Sequence, residues 1–375
     1  MPRKKASLSK KLVVAVLVVV LLSVVFFVAV VNGNFLGSYY GSVTDMNGFV
    51  HTVRSSDDAS NVLNNALALG GGVFVKGTLT CFSPVTLSVG GSVLSSDGSG
   101  KLIFSGCNGL VIKNSQIIVH DLTIEQRYDL RSKIGVIVNG YANSAYGYET
   151  LYNLNLWGWS SALQLNYASS SAFSGIDTSF SFNGLAIYGQ SVNNGFTGCH
   201  FSNFGTGTAT VLIEKDEVSG AQPEGNNFVN CHVYGGTFGF ELIYAYNSQI
   251  GSGCNVDGWQ TNGVYALHSD DSQIGSGAWV GSTSAVQPAI MLDASKNSGV
   301  IGADIYVPKG SGVVLQGTST GNTVSSHIVA SVGIQEMSSS DDYNTFTGNN
   351  ISGPVVGNDI IKMGSNTVVG NNVFH

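Results

Sequence analysis

One short pattern returns between Gly225 and His375 and constrains this chain more than any other feature. Asn or Asp, a small polar residue, a Gln or apolar position and a Gly recur as Asn247-Ser248-Gln249-Ile250-Gly251-Ser252-Gly253 and as Asp271-Ser272-Gln273-Ile274-Gly275-Ser276-Gly277. Looser copies begin at Asn297, Asn322, Asn344 and Asn366, so the intervals are 24, 26, 25, 22 and 22 residues. β-Branched residues fill the space between Gly and Asn turns. A period in this range with short strands indicates a solenoid in which each repeat adds one coil. Leucine-rich repeats need several spaced Leu per unit and helical repeats need 3.6-residue periodicity; neither is present.

The expected fold is therefore all-β, a right-handed single-stranded parallel β-helix. Strands align from coil to coil as inward pairs: Leu110/Ile112, Val136/Val138, Leu163/Leu165, Leu185/Ile187, Val211/Ile213, Phe240/Leu242, Val264/Ala266, Ile290/Leu292 and Val313/Leu315. Alternation then turns Lys113, Asn139, Asn166, Tyr188, Glu214, Ile243, Leu267, Asp293 and Gln316 outward as one stripe. About eleven coils at about 4.8 Å each give a rod roughly 50 Å long.

Composition narrows the partners. Glycine is 49 of 375 residues and only 10% are charged, so Ser, Thr, Asn and Gly cover the surface. Leu12 to Val31 is a run of 20 residues with Ser23 as its one polar interruption, long enough to cross about 30 Å of hydrocarbon as a helix. Arg3, Lys4, Lys5, Lys10 and Lys11 precede it, which predicts a cytoplasmic basic tail over 1–11, a transmembrane anchor over 12–31 and an extracellular body, or a secreted one if the segment is cleaved. Beyond the run, 11 basic residues face 23 acidic ones, which excludes nucleic acid as a partner and disfavours a strongly anionic polysaccharide without a bridging metal.

Residues 32–55 read as a stalk and first strand, and 56–375 as the β-helix. Within 56–77, Ser56 or Asp57 can cap a helix with Val62, Leu63, Ala66 and Leu69 at helical spacing, closed by Gly70-Gly71-Gly72 before the strand Val73 to Val75 and Lys76-Gly77. This order, Asp-Asp, amphipathic helix, triple glycine, short strand and Lys-Gly, resembles the opening of the pectate-lyase and polygalacturonase (pectin lyase-like) superfamily, shared with phage tailspikes. The resemblance covers roughly residues 50–375 and implies a helix that caps the N-terminal end of the coil. It implies no activity. Hydrolases of that superfamily use Asn-Thr-Asp, Asp-Asp, Gly-His-Gly and Arg-Ile-Lys motifs; of these the chain has an Asp-Asp pair at Asp270-Asp271 and none of the other three, and no Arg follows Arg131, where the lyases use Arg or Lys beside calcium-binding Asp. No cofactor is implied, calcium being the one metal the resemblance admits.

Candidate chemistry rests on carboxylates. Paired acids cleave glycosides by either of two spacings, and Glu214, Asp216, Glu217 and Glu241 fall on adjoining coils, with Asp270, Asp271 and Asp293 further on. Asp271 also aligns with Asn247 and Asn297 at a turn, where Asx side chains bond their own backbone. Two segments break the repeat and read as projecting loops: Tyr141 to Trp159, rich in aromatics, and Glu214 to Gly225, rich in charge. Tyr148, Trp157 and Trp159, with Asn166 and Tyr188 on the stripe, form the candidate ligand surface, since Tyr and Trp offer flat faces with a polar edge to sugar or protein. Trp157 and Trp159, two apart, would share one strand face, unless they pack into the core.

Cys199 and Cys231 hold matching places, repeated at Asn349 and Asn371, as an inward stack of small residues or a disulfide between coils. The adjacent His200 and His232 must then point outward, which disfavours a Cys/His metal site. Asn350-Ile351-Ser352 is an N-glycosylation sequon. The expected function is binding of an extracellular polysaccharide or surface glycan, with or without glycosidic cleavage; the alternative is a structural, adhesin or receptor-binding surface protein.

Overall fold

A computed structural model describes residues 39–54, 57–127, 132–140, 145–204, 209–353 and 359–375. The expected basic tail, the apolar run Leu12 to Val31 and Tyr141 lie outside the described residues. Among the described residues, no helix is long and apolar enough to cross a membrane.

The chain winds into a right-handed parallel β-helix of about 12 turns. Sheet I runs from Val85–Leu87 through Leu110–Ile112, Ile134–Asn139, Ser161–Asn166, Asn183–Tyr188, Ala209–Glu214, Phe238–Ile243, Asn262–Leu267 and Ile290–Asp293 to Ile360–Ile361. Every inward pair read from the sequence is in register: Leu163 faces Val136 and Leu185, Val211 faces Phe240, and Leu292 faces Leu315. Sheets II and III complete each coil, as in Asn227–Val229 with His232–Gly235. Sheet II stacks Phe173, Phe196 and Phe228 inward with ring centroids 4.8 and 4.7 Å apart. That spacing is the strand separation itself, so identical side chains on successive coils meet face to face.

The repeat found in the sequence is the trace of one corner. Between sheets I and II the backbone turns through a left-handed residue: Ser170, Asn193, Gly225, Asn247, Asp271, Asn297, Gly321 and Tyr343 all have φ between 48° and 72°. Asn, Asp and Gly tolerate this region best, which explains their recurrence. The corner N–H of Ser170, Asn193, Gly225, Asn247, Asp271 and Asn297 donates to a carbonyl of the next coil, as from Asn247 to Asp270 (3.0 Å), Asp271 to Lys296 (2.9 Å) and Asn297 to Thr320 (3.1 Å). Asn322 and Asn344 do not occupy this corner, as the spacing suggested. They follow it, with Ser248, Ser272 and Ser298, and point inward. There each backbone N–H donates to the side-chain oxygen above it: Ser272 to Ser298 Oγ (3.2 Å), Ser298 to Asn322 Oδ1 (2.9 Å) and Asn322 to Asn344 Oδ1 (2.9 Å). This ladder satisfies buried polar groups that a coil would otherwise strand.

Helix α1 (Ala59–Ala68) covers the N-terminal end, burying Leu63, Ala66 and Leu67, while Leu69 stays exposed. Its cap is Asp58, not Ser56 or Asp57: Asp58 Oδ1 accepts from the N–H of Ser60 (3.0 Å) and of Phe82 (3.0 Å), tying the helix to the first coil. Tyr39–Thr44 pairs antiparallel with residues 74–77 and Val50–Arg54 pairs outside it, so two further strands stack beyond the first coil.

From residue 145 on, the aromatic segment follows the coil and does not project from it. Tyr146–Gly147 and Thr150–Trp157 are coil strands. Gly158 at φ 82° then reverses the alternation, and Trp159 enters the core with 0% exposure, its Nε1 donating to Ile124 O (3.1 Å). Cys199, Cys231 and Cys254 stack inward as free thiols, and the place they share is held further on by Ala278, Ala303, Ser326, Asn349 and Asn372, not Asn371.

Candidate functional site: a carboxylate groove on sheet I

The outward stripe of sheet I is built as the alternation requires. Asn166 faces Asn139 and Tyr188, Tyr188 faces Glu214, Glu214 faces Ile243, and Asp293 faces Leu267 and Gln316. A second row two residues earlier carries Gln164, Ala186, Leu212, Glu241, Tyr265 and Met291 in register. From Gln164 to Met291 the rows cross six strands, which by strand spacing is roughly 24 Å along the axis.

The segment after Glu214 leaves the coil as expected. Asp216 N–H donates to Ala221 O (2.8 Å) and Gly220 N–H to Asp216 O (2.7 Å), closing a loop whose tip, Val218, is 97% exposed. This loop walls a cleft of about 490 Å³ lined by Gly140, Gln164, Asn166, Tyr167, Tyr188 and Glu214 on one side and Lys215 to Glu217 on the other. Amide dipoles order its floor: Gln164 Nε2 donates to Asn166 Oδ1 (3.0 Å), and Asn166 Nδ2 to Asn139 Oδ1 (3.4 Å).

Three carboxyls here have three different settings. Burial raises the Glu241 pKa to about 7, with the charge of Glu214 adding to it. Burial also raises Glu214, helped by Glu217 and opposed by Lys215. Glu241 stands one strand on and two residues out of register, close enough for the charge of Glu214 to reach it. Asp216 goes the opposite way, down to about 2, because the Tyr167 hydroxyl donates to it, as do Ser219 Oγ (2.7 Å) and the Val218 N–H (3.0 Å). Tyr188 lies beside both glutamates; burial and then their charges raise its phenol. Glu241, one strand beyond the residues that line the cleft, is thus raised toward neutrality while Asp216 in its wall is lowered, opposite shifts of the kind found where acid–base chemistry occurs.

The other candidate residues fall elsewhere. Asp270 accepts the Lys296 N–H on Oδ1 (2.7 Å) and Asp271 is the left-handed corner residue, so both serve turns outside the cleft. Asp293 continues the same stripe, accepting from Gln316 Nε2 (2.7 Å) and Tyr265 OH (3.2 Å). Trp159 is a core residue and touches no ligand surface. Trp157 packs on Phe180 (5.4 Å) at the corner where sheet I strands begin, a strand's length from Asn166 at their end. Tyr148 is exposed at the neighbouring left-handed corner, outside the residues lining the cleft. Sequence reasoning missed Tyr167, whose hydroxyl sets Asp216. Its signal was positional: Tyr167, Gly189, Lys215, Tyr244 and His268 directly follow the outward stripe on successive coils. His268 stacks on Tyr244 (4.8 Å), and Lys215 Nζ sits 3.7 Å over the Tyr244 ring. Among the described residues, no three His, Cys, Asp or Glu side chains converge as a metal ion needs.

No protein-family model matches the sequence, and neither does any curated protein. Solved structures share the fold. The mannuronan C-5 epimerase AlgE6 A-module of Azotobacter vinelandii superposes with TM-score 0.62 at 17% identity, covering 85% of this chain and 96% of that one. PfbA, a surface adhesin of Streptococcus pneumoniae, gives 0.59 at 13%, covering 89% and 88%. The enzymatically active domain of bacteriophage CBA120 tailspike protein 2 gives 0.56 at 11%, covering 86% of this chain and 51% of that one.

Proposed function

We propose that this chain is a membrane-anchored surface protein whose β-helix binds a neutral polysaccharide along the sheet I groove. The observation that carries the reading is the groove's lining: amide, phenol and carboxyl side chains held in register along the axis, a row of oriented donors and acceptors matched to a repeating chain of hydroxyls. Its acidity favours a neutral chain over a uronate polymer. The epimerase and adhesin that share the fold, one named for a polysaccharide substrate and one for the cell surface, support the class of ligand. The 20-residue apolar run behind a basic tail supports the anchor.

A second reading adds cleavage, favoured by Glu241. With a pKa of about 7 it can donate a proton to a leaving oxygen at neutral pH, while Glu214 or Asp216 supplies the charged partner. Immobilised neutral and acidic polysaccharides, followed for retention and by mass spectrometry for released fragments, test both readings. Retention on a neutral polymer that is lost in Tyr188→Ala supports binding, and fragments that vanish in Glu241→Gln add hydrolysis. No retention on any polymer overturns both.

A further inference from the structure

We infer that the N-terminal end of the solenoid rests on the bilayer, with the turn around Phe49 inserted into its interface; the inference relies on the anchor part of the reading above. Stacking order sets the geometry. Beyond the first coil strand lies Tyr39–Thr44, and beyond that Val50–Arg54, the outermost described strand at this end. Only residues 32–38 separate Tyr39 from the apolar run ending at Val31. Seven residues span at most about 25 Å even when fully extended. An anchored chain therefore keeps this end of the rod within about 25 Å of the membrane.

The surface at this end carries a group of exposed apolar side chains. Phe49 is 67% and Val50 62% exposed, Met46 is exposed beside them, and Leu69 is the one helix-end Leu left in solvent. The turn that presents them is fixed: Asp45 Oδ1 accepts from the N–H of Asn47 (2.9 Å) and of Phe49 (3.1 Å), and Gly48 takes φ 79°. Met46 packs on Gly71 just past α1, so the turn and the helix end form one surface. Single exposed apolar residues mean little. Four on the end that faces the anchor form a surface suited to the headgroup–acyl boundary, where such side chains bury to about 5–10 Å. The charges nearby are few, and Asp45 faces His51 Nε2 at 3.4 Å, so the match is to a zwitterionic lipid surface.

The test places the full chain in phosphatidylcholine bilayers with a tryptophan reporter at Phe49→Trp or, as a control on the groove loop, Val218→Trp. Brominated phosphatidylcholine is expected to quench the added emission of Phe49→Trp about twofold or more and to leave that of Val218→Trp unchanged. Equal quenching of the two, in protein that resists alkaline carbonate extraction, overturns the docking while keeping the anchor. Extraction by carbonate overturns the anchor and the docking with it. Emission from Phe49→Trp that shifts with the protein-to-lipid ratio, without quenching, assigns the surface to a second copy and also overturns the proposal.

Discussion

Sheets I and III present carboxylates on the same scaffold with opposite results. On sheet III three acids meet an imidazole: His200 Nδ1 lies 3.6 Å from Asp177, His232 Nε2 3.1 Å from Asp257 and His327 Nδ1 2.9 Å from Asp304. His200 and His232 stack at 4.9 Å, and His200 holds the Asp177 carboxyl below its ordinary value. On sheet I, Glu214 and Glu241 have each other and a phenol as neighbours, and Lys215, the nearby cation, is drawn over the Tyr244 ring. The stacking geometry is common to both faces. What differs is whether the residue one coil away neutralises the charge or repeats it, and that choice separates an acid held below its ordinary pKa, Asp177, from two held above it, Glu214 and Glu241.

Substitutions can break this contrast. The largest effect is expected from Glu241→Gln, which should reduce fragment release by about a hundredfold or more if cleavage occurs, the usual contribution of a positioned acid. Asp257→Asn, a half-buried acid on sheet III, should leave release and retention unchanged; equal losses in the two variants would show that the faces do not differ in function. Next, Tyr188→Ala should weaken polysaccharide binding about tenfold, read by retention or calorimetry, with little change in melting temperature, whereas Trp159→Ala should lower the melting temperature by the equivalent of about 3–5 kcal/mol through a core cavity.

The pH dependence sharpens the contrast further. Glu241 has a folded pKa of about 7 against an ordinary 4.5, so the folded state holds this proton more tightly than the unfolded one. Its contribution to stability is full below 4.5 and declines as pH rises toward 7. Asp177 is lowered from 3.8, so its contribution is present above 3.8 and is lost as pH falls through its folded value. His200 is raised from 6.5, so it adds stability below 6.5 that is lost as pH rises through its folded value. Melting curves should therefore show Glu241→Gln flattening the limb between about 4.5 and 7 in a His200→Gln background, while Asp177→Asn, made with His200 present, flattens the acid limb and removes the His200 contribution with it. The smallest effect expected is Asp177→Asn at neutral pH, about 1 kcal/mol or less for so exposed a pair.

The fold was legible because its cause is local. Inward pairs such as Leu163/Leu165 follow from two-residue alternation, and the Asn247, Asp271 and Asn297 repeat follows from the left-handed corner each occupies. The same alternation placed Asn166, Tyr188 and Glu214 on one stripe, so the floor of the groove could be read in advance. It failed at Trp159, where the left-handed Gly158 turns the side chain inward, a conformation that nothing in Trp157-Gly158-Trp159 announces. It failed at Tyr167 and Asp216 as well, because their hydrogen bond joins residues 49 positions apart across a loop. The elevated Glu241 pKa depends on burial and on a neighbour one coil away, quantities that exist only after winding.

The corner column makes the length of this molecule a discrete quantity. Asn247 and Asp271 occupy the same point on successive coils, with the same handedness and the same upward hydrogen bond. Residues 247–270 are thus an exchangeable unit: excising or duplicating them joins like to like at every sheet and in the buried Ser and Asn ladder. The groove changes by one strand spacing, roughly 4.8 Å, while its chemistry at Asn166, Tyr188 and Glu214 stays where it was. A surface of this kind can be lengthened or shortened in whole steps, without a new fold and without moving the side chains that line the cleft.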